Sequence, residues 1–428
     1  MNFLRRHKWL FFFLGLALLI RLVLVIVLLQ PGYQVNDDLL RYGDWGRIAY
    51  QYGVNDTYTM RHISFGASPN NQPPGTVYID AAMYSLANTY SHVSGGSFTQ
   101  IYNFCLKLPS ILADLLIGSF IYFCVKRKTT QKMALFASAL FLFNPIVIYN
   151  SAVWGQTDAL DNVFFYASLF LFFNKRYFFS LVAFFLSLYI KISLLPLLPL
   201  LLLLILKETK YAFGKLLIYL AGATIIIFII TLPLSLTPWT WLSTFFSHDA
   251  GGELPYIANY AFNFWTVLYN PDSFNLVPKS TAVVWSLPLS VWGEILFGLF
   301  YLPLCIAVIR QKKIEMSFVF AMMLLAAFGL YMFFPRMHQR YLYPVFPLLG
   351  TYIGYVGLQK KWYIPYVLLA VVNFINLYVV WYPINFMPAF FNAIVVHGKV
   401  RWGMSWTVLL LFLYVYYEMF LRKLFKKL

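Results

Sequence analysis

The chain has 428 residues, 61% of them hydrophobic and only 11% charged, with a mean hydropathy of +0.70. Such a composition excludes an ordinary soluble domain and points to a polytopic helical membrane protein. The 32 Lys and Arg against 15 Asp and Glu give a net charge of +17. The cations cluster in short loops between apolar runs, which the positive-inside rule explains better than nucleic-acid binding. Attraction to anionic lipid headgroups is a secondary consequence.

The basic start Arg5-Arg6-His7-Lys8 precedes an apolar run, Trp9 to Leu29, too long for a signal-peptide core and without a clear cleavage site. It reads as an uncleaved signal anchor and first span. Arg21 lies inside it and must face the bundle, a water-filled cavity, a lipid phosphate or an internal carboxylate. Pro31-Gly32 stops the span. Residues 30–100 form the longest polar region, opening with the acidic pair Asp37-Asp38; within it, 76–87 suits a helix lying at the membrane surface. Further apolar runs follow at about 101–125, 133–149 and 159–173. Two short runs, 177–190 and 192–206, are split by Lys191, and another run covers 213–234. A second polar loop, 235–280, precedes runs at 283–309, 316–334, 342–358 and 363–380. A third, 381–404, precedes the last run, 405–420, and a basic tail.

These runs predict an all-α bundle of about twelve transmembrane helices forming a single domain, 1–428. With a cytoplasmic N-terminus, the clusters at Lys126, Lys175, Lys207, Lys312, Lys360 and Lys426 all fall on one side, and the C-terminus joins them. Asp37, Asp38, Asp44, Asp56, Asp158, His248, Asp249, Glu253 and His338 then share the other side. In a chain so poor in acids, that asymmetry predicts an extracytoplasmic active site in a cavity lined by the outer loops. Cys105, Cys124 and Cys305 have no metal or disulfide spacing and read as packing residues.

Four stretches carry the residue types that chemistry needs. Asp37 and Asp38 point in different directions on any regular backbone, so one can serve as a base while the other orients a group. At an apolar boundary, partial desolvation makes a carboxylate a stronger base for a sugar hydroxyl; an ordinary polar loop after a helix explains the pair as well. In NPIVIYNSAVWGQTD, Asn144-Pro145 would kink a span. Trp154 offers a stacking face there, and Gln156 and Asp158 can hold vicinal hydroxyls. An aromatic-belt Trp beside a helix cap explains Trp154 but not the whole cluster. In RMHQRY, Arg336, His338 and Arg340 stand at an outer edge normally poor in cations, and suit a phosphate. Lys191 reads either as an isolated intramembrane cation in a site or as a snorkelling lysine at a tight helix turn. His248, Asp249 and Glu253 match no metal-ligand spacing, so no metal site is assigned; a divalent ion held by carboxylates stays open. The sequence contains no glycine-rich phosphate loop and no nucleophile elbow.

Together these stretches resemble the GT-C superfamily, multi-pass glycosyltransferases that use polyprenyl- or dolichyl-phosphate sugars. The branch most resembled is the bacterial and archaeal one related to the enzyme adding the second mannose of GPI anchors. The resemblance rests on Asp38 with Tyr42 and Trp45, Asn71-Gln72-Pro73-Pro74-Gly75, Lys107-Leu108-Pro109 with Asp114, and Asn144-Pro145. It continues through Ser151 to Asp158, Lys191, Ala261 to Trp265, and Arg336 to Tyr341. Gln339 departs from the family's usual Glu, Asn71-Gln72 from its Asp-Tyr, and Tyr260 from a frequent Asn. The resemblance implies an inverting mannosyltransferase of the cell membrane with a polyprenyl-phosphate-linked sugar as donor substrate; no cofactor is assigned beyond the divalent metal left open above. The acceptor would be a glycan, glycolipid or protein. It implies Asp38, with Asp37 second, as the base. Trp154, Gln156, Asp158, Lys191, Asn263, Arg336, His338, Arg340 and Tyr341 would bind substrate. The alternatives are a lipid-linked glycan transporter or flippase, and an oligosaccharide polymerase or ligase using a diphosphate-linked donor.

Overall fold

The structure is a computed structural model, and it describes residues 3–422 apart from 31, 60–61, 65–67, 233–254, 270–276 and 384–387. Pro31, His248, Asp249, Glu253 and most of the basic tail therefore lie outside the described residues. In chain order the helices are α1 (Phe3–Arg6), α2 (Lys8–Leu28), α3 (Asp37–Tyr52), α4 (Pro74–Ser94), α5 (Phe98–Lys126), α6 (Gln131–Leu142) and α7 (Pro145–Ile148). They continue with α8 (Asp158–Phe173), α9 (Tyr177–Ile190), α10 (Leu198–Glu208), α11 (Phe213–Thr231), α12 (Phe264–Tyr269) and α13 (Leu289–Arg310). The last are α14 (Met316–Phe333), α15 (Val345–Val356), α16 (Lys360–Val380), α17 (Ala389–Val396) and α18 (Gly398–Tyr416). The described residues also form two-residue strands, β1 (Ala258–Asn259), β2 (Val283–Val284), β3 (Leu287–Pro288) and β4 (Met337–His338), besides short 3₁₀ and π turns.

Among the described residues, seven helices are long and apolar enough to cross a membrane, or eight if the bent pair 131–142 and 145–154 counts as one span. The protein is thus a multi-pass membrane protein, with seven or eight such spans described where the apolar runs predict about twelve helices. Several apolar runs fold as short pieces, because the sequence interrupts their hydrogen-bond ladders. Asn144-Pro145 bends its span by 48°. Lys191 is extended, at φ −155° and ψ 130°, and separates α9 from a 3₁₀ turn at 192–197. The last span begins at Gly398, inside the stretch assigned to the third polar loop.

The first polar region is more helical than expected. Asp37 and Asp38 sit in the first turn of α3, not in a loop. The Asn36 side chain accepts from the Asp38 backbone N–H at 2.7 Å, and acids at a helix N-terminus oppose its dipole favourably. The surface helix anticipated at 76–87 is the middle of α4, which extends both ways. It starts at a Pro in the first turn and stops at Gly95 in the left-handed conformation.

By packing, the chain divides into two units. The first comprises residues 1–120, 147–195 and 211–253. Its core joins Leu39, Tyr42 and Trp45 of α3 to Tyr84 of α4 and Tyr102, Cys105 and Leu106 of α5. Tyr84 and Tyr102 meet edge to face at 5.2 Å, a geometry that contributes about 0.5–1.5 kcal/mol beyond area burial. Gly46 permits the closest approach, since a Cβ there would stand 2.6 Å from the Asp80 carbonyl oxygen. Helices α8 and α9 pack along their length and exchange hydroxyl bonds between Ser168 and Ser180, as polar small residues do between membrane helices.

The second unit comprises residues 121–146, 196–210 and 254–428. Its centre is α14, buried from Val319 to Met332. Beside it, α15 lies against α6, and a Cβ at Gly354 would meet Ala137 at 2.9 Å. Asn144 donates to the Tyr366 hydroxyl at 2.9 Å, so the residue that breaks one helix is held by another.

Asp80 was not singled out from sequence. It is 5% exposed on α4, and one carboxyl oxygen is buried with no hydrogen-bond partner. Burial pushes its carboxyl well above the usual carboxylate range. A carboxyl whose pKa is raised on folding stabilises the protein while protonated, and that stability is lost as pH rises above the ordinary carboxylate value. Asp80→Asn is therefore expected to raise the thermal midpoint at pH 8 and to change it little at pH 4, as read by unfolding in detergent.

Candidate functional site

The residues from 149 to 158 organise the candidate site in the first unit. After Pro145 the chain winds one turn of π-helix, Tyr149–Trp154, and reverses at Gly155, whose φ is 82°. Only glycine takes that conformation without strain, and a Cβ there would also stand 2.9 Å from Leu39. The Asn150 carbonyl accepts from the backbone N–H groups of Gly155 and Gln156 at 3.0 and 2.9 Å. The Lys107 ammonium caps the turn, donating to the Ala152 and Val153 carbonyls at 3.0 and 2.9 Å. Ser110 donates to the Gln156 carbonyl at 2.6 Å.

This turn brings two of the expected residues into contact with others. The Gln156 amide donates to the Asp38 carboxylate at 2.6 Å and accepts from the Tyr42 hydroxyl at 3.1 Å. Gln156 is 1% exposed, Asp38 is half-buried and Asp37 is exposed. The two acids thus have different surroundings, as adjacent helical positions should, and Asp38 is the one joined to the WGQTD turn, through Gln156. Asp158 forms a buried ion pair with Lys191 and accepts from Asn150 at 3.3 Å. Lys191 is therefore neither isolated nor snorkelling, because a lone ammonium at 4% exposure would be too costly. Asp161 lies one turn along α8 and accepts from Ser193 at 2.8 Å.

Arg21 has an internal carboxylate rather than a lipid phosphate. Its guanidinium pairs with Asp114 at 3.2 Å, and Ser151 donates to the same carboxylate at 2.6 Å. That pair ties α2 and α5 to the turn. Trp154 is 3% exposed, with its ring 6.4 Å from Tyr149 edge to face, so it packs within the unit. Lys107, Ser110, Asn150 and Ser151 hold the turn; Lys107 and Ser151 were among the residues that carry the family resemblance, whereas Ser110 gave no signal. An apolar cavity of about 440 Å³ lies between the end of α2, α4 and the start of α5, lined by Ile26, Leu29, Leu86, Tyr90, Ile101 and Phe104.

The second unit assembles the other group. Strands β1 and β4 pair in parallel, Ala258 with Met337 and Asn259 with His338, so the residues just before AFNFW are joined to RMHQRY by backbone. Arg336 adopts φ 60°; its N–H donates to the Ile257 carbonyl at 2.7 Å and its guanidinium to the Ser280 hydroxyl at 3.2 Å. Arg336, His338, Arg340 and Tyr341 are all half-buried, with the Arg340 guanidinium 5.9 Å from the Tyr341 ring centre. Asn263 is placed differently from a ligand-binding amide. It is fully buried, accepts from the Trp265 and Thr266 N–H groups and donates to the Tyr331 carbonyl, so it caps α12. Among the described residues, no group of three or more His, Cys, Asp or Glu side chains is placed to hold a metal ion.

The buried ion pair yields a direct test. Lys191→Met is expected to cost about 3–5 kcal/mol of stability by leaving Asp158 unpaired. Adding Asp158→Asn should restore most of it. Thermal unfolding of the purified variants reads both, and an unperturbed single variant would show that the pair carries no such weight.

Residues 70–267, less than half of the chain, match the family model described as GPI transamidase subunit PIG-U. No curated protein matches significantly. Among solved structures, ArnT from Cupriavidus metallidurans bound to undecaprenyl phosphate is similar, with a TM-score of 0.52 at 15% identity. That similarity covers 96% of this chain and 78% of ArnT. The apo state of the same protein gives a TM-score of 0.51 at 16% identity, over 97% of this chain and 78% of ArnT. Nearly the whole chain is thus similar in fold to ArnT.

Proposed function

We propose that the protein is an integral membrane glycosyltransferase. It moves a hexose, mannose being the first choice, from a polyprenyl-phosphate donor to an acceptor hydroxyl at the extracytoplasmic face, with inversion. The observation that carries the reading is Asp38, a half-buried carboxylate at the start of α3, held by the Gln156 amide at 2.6 Å. Its placement, in a chain with the fold of ArnT, suits a general base. The undecaprenyl phosphate of the ArnT structure supports a donor of that lipid class.

In the proposed step Asp38 takes the proton of the acceptor hydroxyl. The oxygen attacks the anomeric carbon as the bond from that carbon to the phosphate oxygen breaks, and the electron pair leaves with the phosphate. Gln156 and Tyr42 fix the carboxylate; a base already oriented loses less entropy at the transition state. Asp158, held by Lys191, offers a carboxylate for sugar hydroxyls. In the second unit, Arg336, His338 and Arg340 are the cations whose chemistry suits a phosphate. Glycan, glycolipid and protein acceptors all present the required hydroxyl.

A second reading has its own support. The PIG-U match favours a subunit that holds a lipid-linked glycan for a partner, without transferring sugar itself. Purified protein incubated with a panel of polyprenyl-phosphate sugars separates the two: the enzyme releases the carrier phosphate, and the subunit does not. Asp38→Asn is expected to lower release by roughly 100- to 10,000-fold, the usual contribution of a positioned base, with the protein still folded. Asp37→Asn should retain most activity. Activity near wild type in both variants would remove Asp38 from the chemistry.

A further inference from the structure

The segment before α13 is a two-residue β-hairpin. Val284 pairs with Leu287, and Val283 with Pro288. The central residues, Trp285 and Ser286, take φ of 48° and 66°. Positive φ at both positions is the pattern of a type I′ turn, which normally selects Asn-Gly. A bulky aromatic residue there is strained, so the turn itself gives no reason for Trp285.

The side chains show where such a reason lies. Trp285 is 85% exposed, Val283 66% and Val284 38%. Trp292 meets Trp285 edge to face at 6.0 Å and donates its indole N–H to the Val284 carbonyl at 2.9 Å. Lys279 stands exposed at the hairpin's base. The hairpin runs without a gap into α13, which starts at Leu289 and exposes Leu299 and Leu302 along its length, as a lipid-facing span does. The hairpin is therefore held at the level where that span meets the bilayer surface.

We propose that the hairpin at 283–288 docks into the headgroup layer of the leaflet in which α13 begins. Trp285 and Val283 enter the interfacial zone, and Lys279 faces the lipid phosphates. Indole favours that zone, since its ring is apolar and its N–H still reaches water or a lipid oxygen. The adjoining lipid-facing helix makes the partner a lipid surface rather than a second protein. The docked hairpin also fixes the height of Arg336, whose guanidinium is bonded to Ser280 three residues before the hairpin begins. The docking itself does not depend on the glycosyltransferase reading.

The test uses the full chain, one copy per nanodisc, in phosphatidylcholine with phosphatidylglycerol. The fluorescence of wild type minus that of Trp285→Phe isolates the Trp285 emission. Loss of most of that emission to a lipid spin label near the headgroup, together with protection from aqueous iodide, is the expected result. Quenching by iodide but not by lipid, or by neither, would overturn the proposal. A second variant, Trp285→Asn with Ser286→Gly, supplies the residues the turn prefers. It should raise the melting temperature in detergent but lower the protein's affinity for added vesicles of the same lipids. A lower melting temperature, or unchanged vesicle affinity, would show that Trp285 serves the turn and not the membrane.

Discussion

A charge buried in an apolar interior needs a counter-charge or a set of aligned dipoles, and this requirement fixes the candidate site. Among the described residues of the first unit, three Lys or Arg side chains lie at no more than 5% exposure: Arg21, Lys107 and Lys191. Arg21 finds Asp114, Lys191 finds Asp158, and Lys107 finds two backbone carbonyls. All three converge on one short piece of chain, 149–158. Without Lys107 the π turn would lose the partner of its Ala152 and Val153 carbonyls, each loss costing energy of the order of a hydrogen bond. With the three cations, the turn becomes a fixed platform that presents Gln156 to Asp38 and Asp158 to Lys191. The orientation of the acid proposed as base is thus a consequence of charge compensation several residues away.

Much of the membrane architecture was legible in the sequence because hydropathy is additive along a helix. Spans such as 8–28, 98–126 and 316–333 stand close to where their apolar runs placed them. What escaped were features decided by single residues. Asn36 turns an apparent loop into a helix start, and so moves Asp37 and Asp38 onto α3. Lys191 and Pro145 break ladders within runs that hydropathy reads as continuous. Asp38, Gln156, Asp158 and Lys191 were all named from sequence, but not their pairing, since contacts across 118 and 33 positions leave no local trace. Asp80 gave no signal, because burial is a property of its neighbours and not of the residue. Asn263 was named from sequence as a substrate-binding amide, but its capping of α12 was not, since that depends on the helix start at Phe264.

The likeness to ArnT and the match to PIG-U concern different levels of organisation. The first extends over nearly the whole chain and describes how the helices are arranged. The second lies in residues 70–267, the stretch that carries α4, α5, the π turn and α8 to α11. That stretch contains the charge-compensated platform but neither Asp38 nor the Arg336 segment. A common way of building the platform is compatible with either a base or a merely bound glycan beside it. The residues proposed as base and as phosphate ligands, Asp38 and Arg336, lie outside the matched stretch.

The separation between Asp158 and its counter-ion also has a consequence for how the chain enters the membrane. Synthesis delivers Asp158 thirty-three residues before Lys191. Until the lysine emerges, α8 carries an uncompensated acid at its leading end, which hydrocarbon rejects. Helices α8 and α9, which pack against each other more extensively than any other pair described, are thus coupled in biogenesis as well as in the finished fold. The hairpin of two helices, not the single helix, is the unit that can leave water, and the translation of Lys191 is the event that completes it.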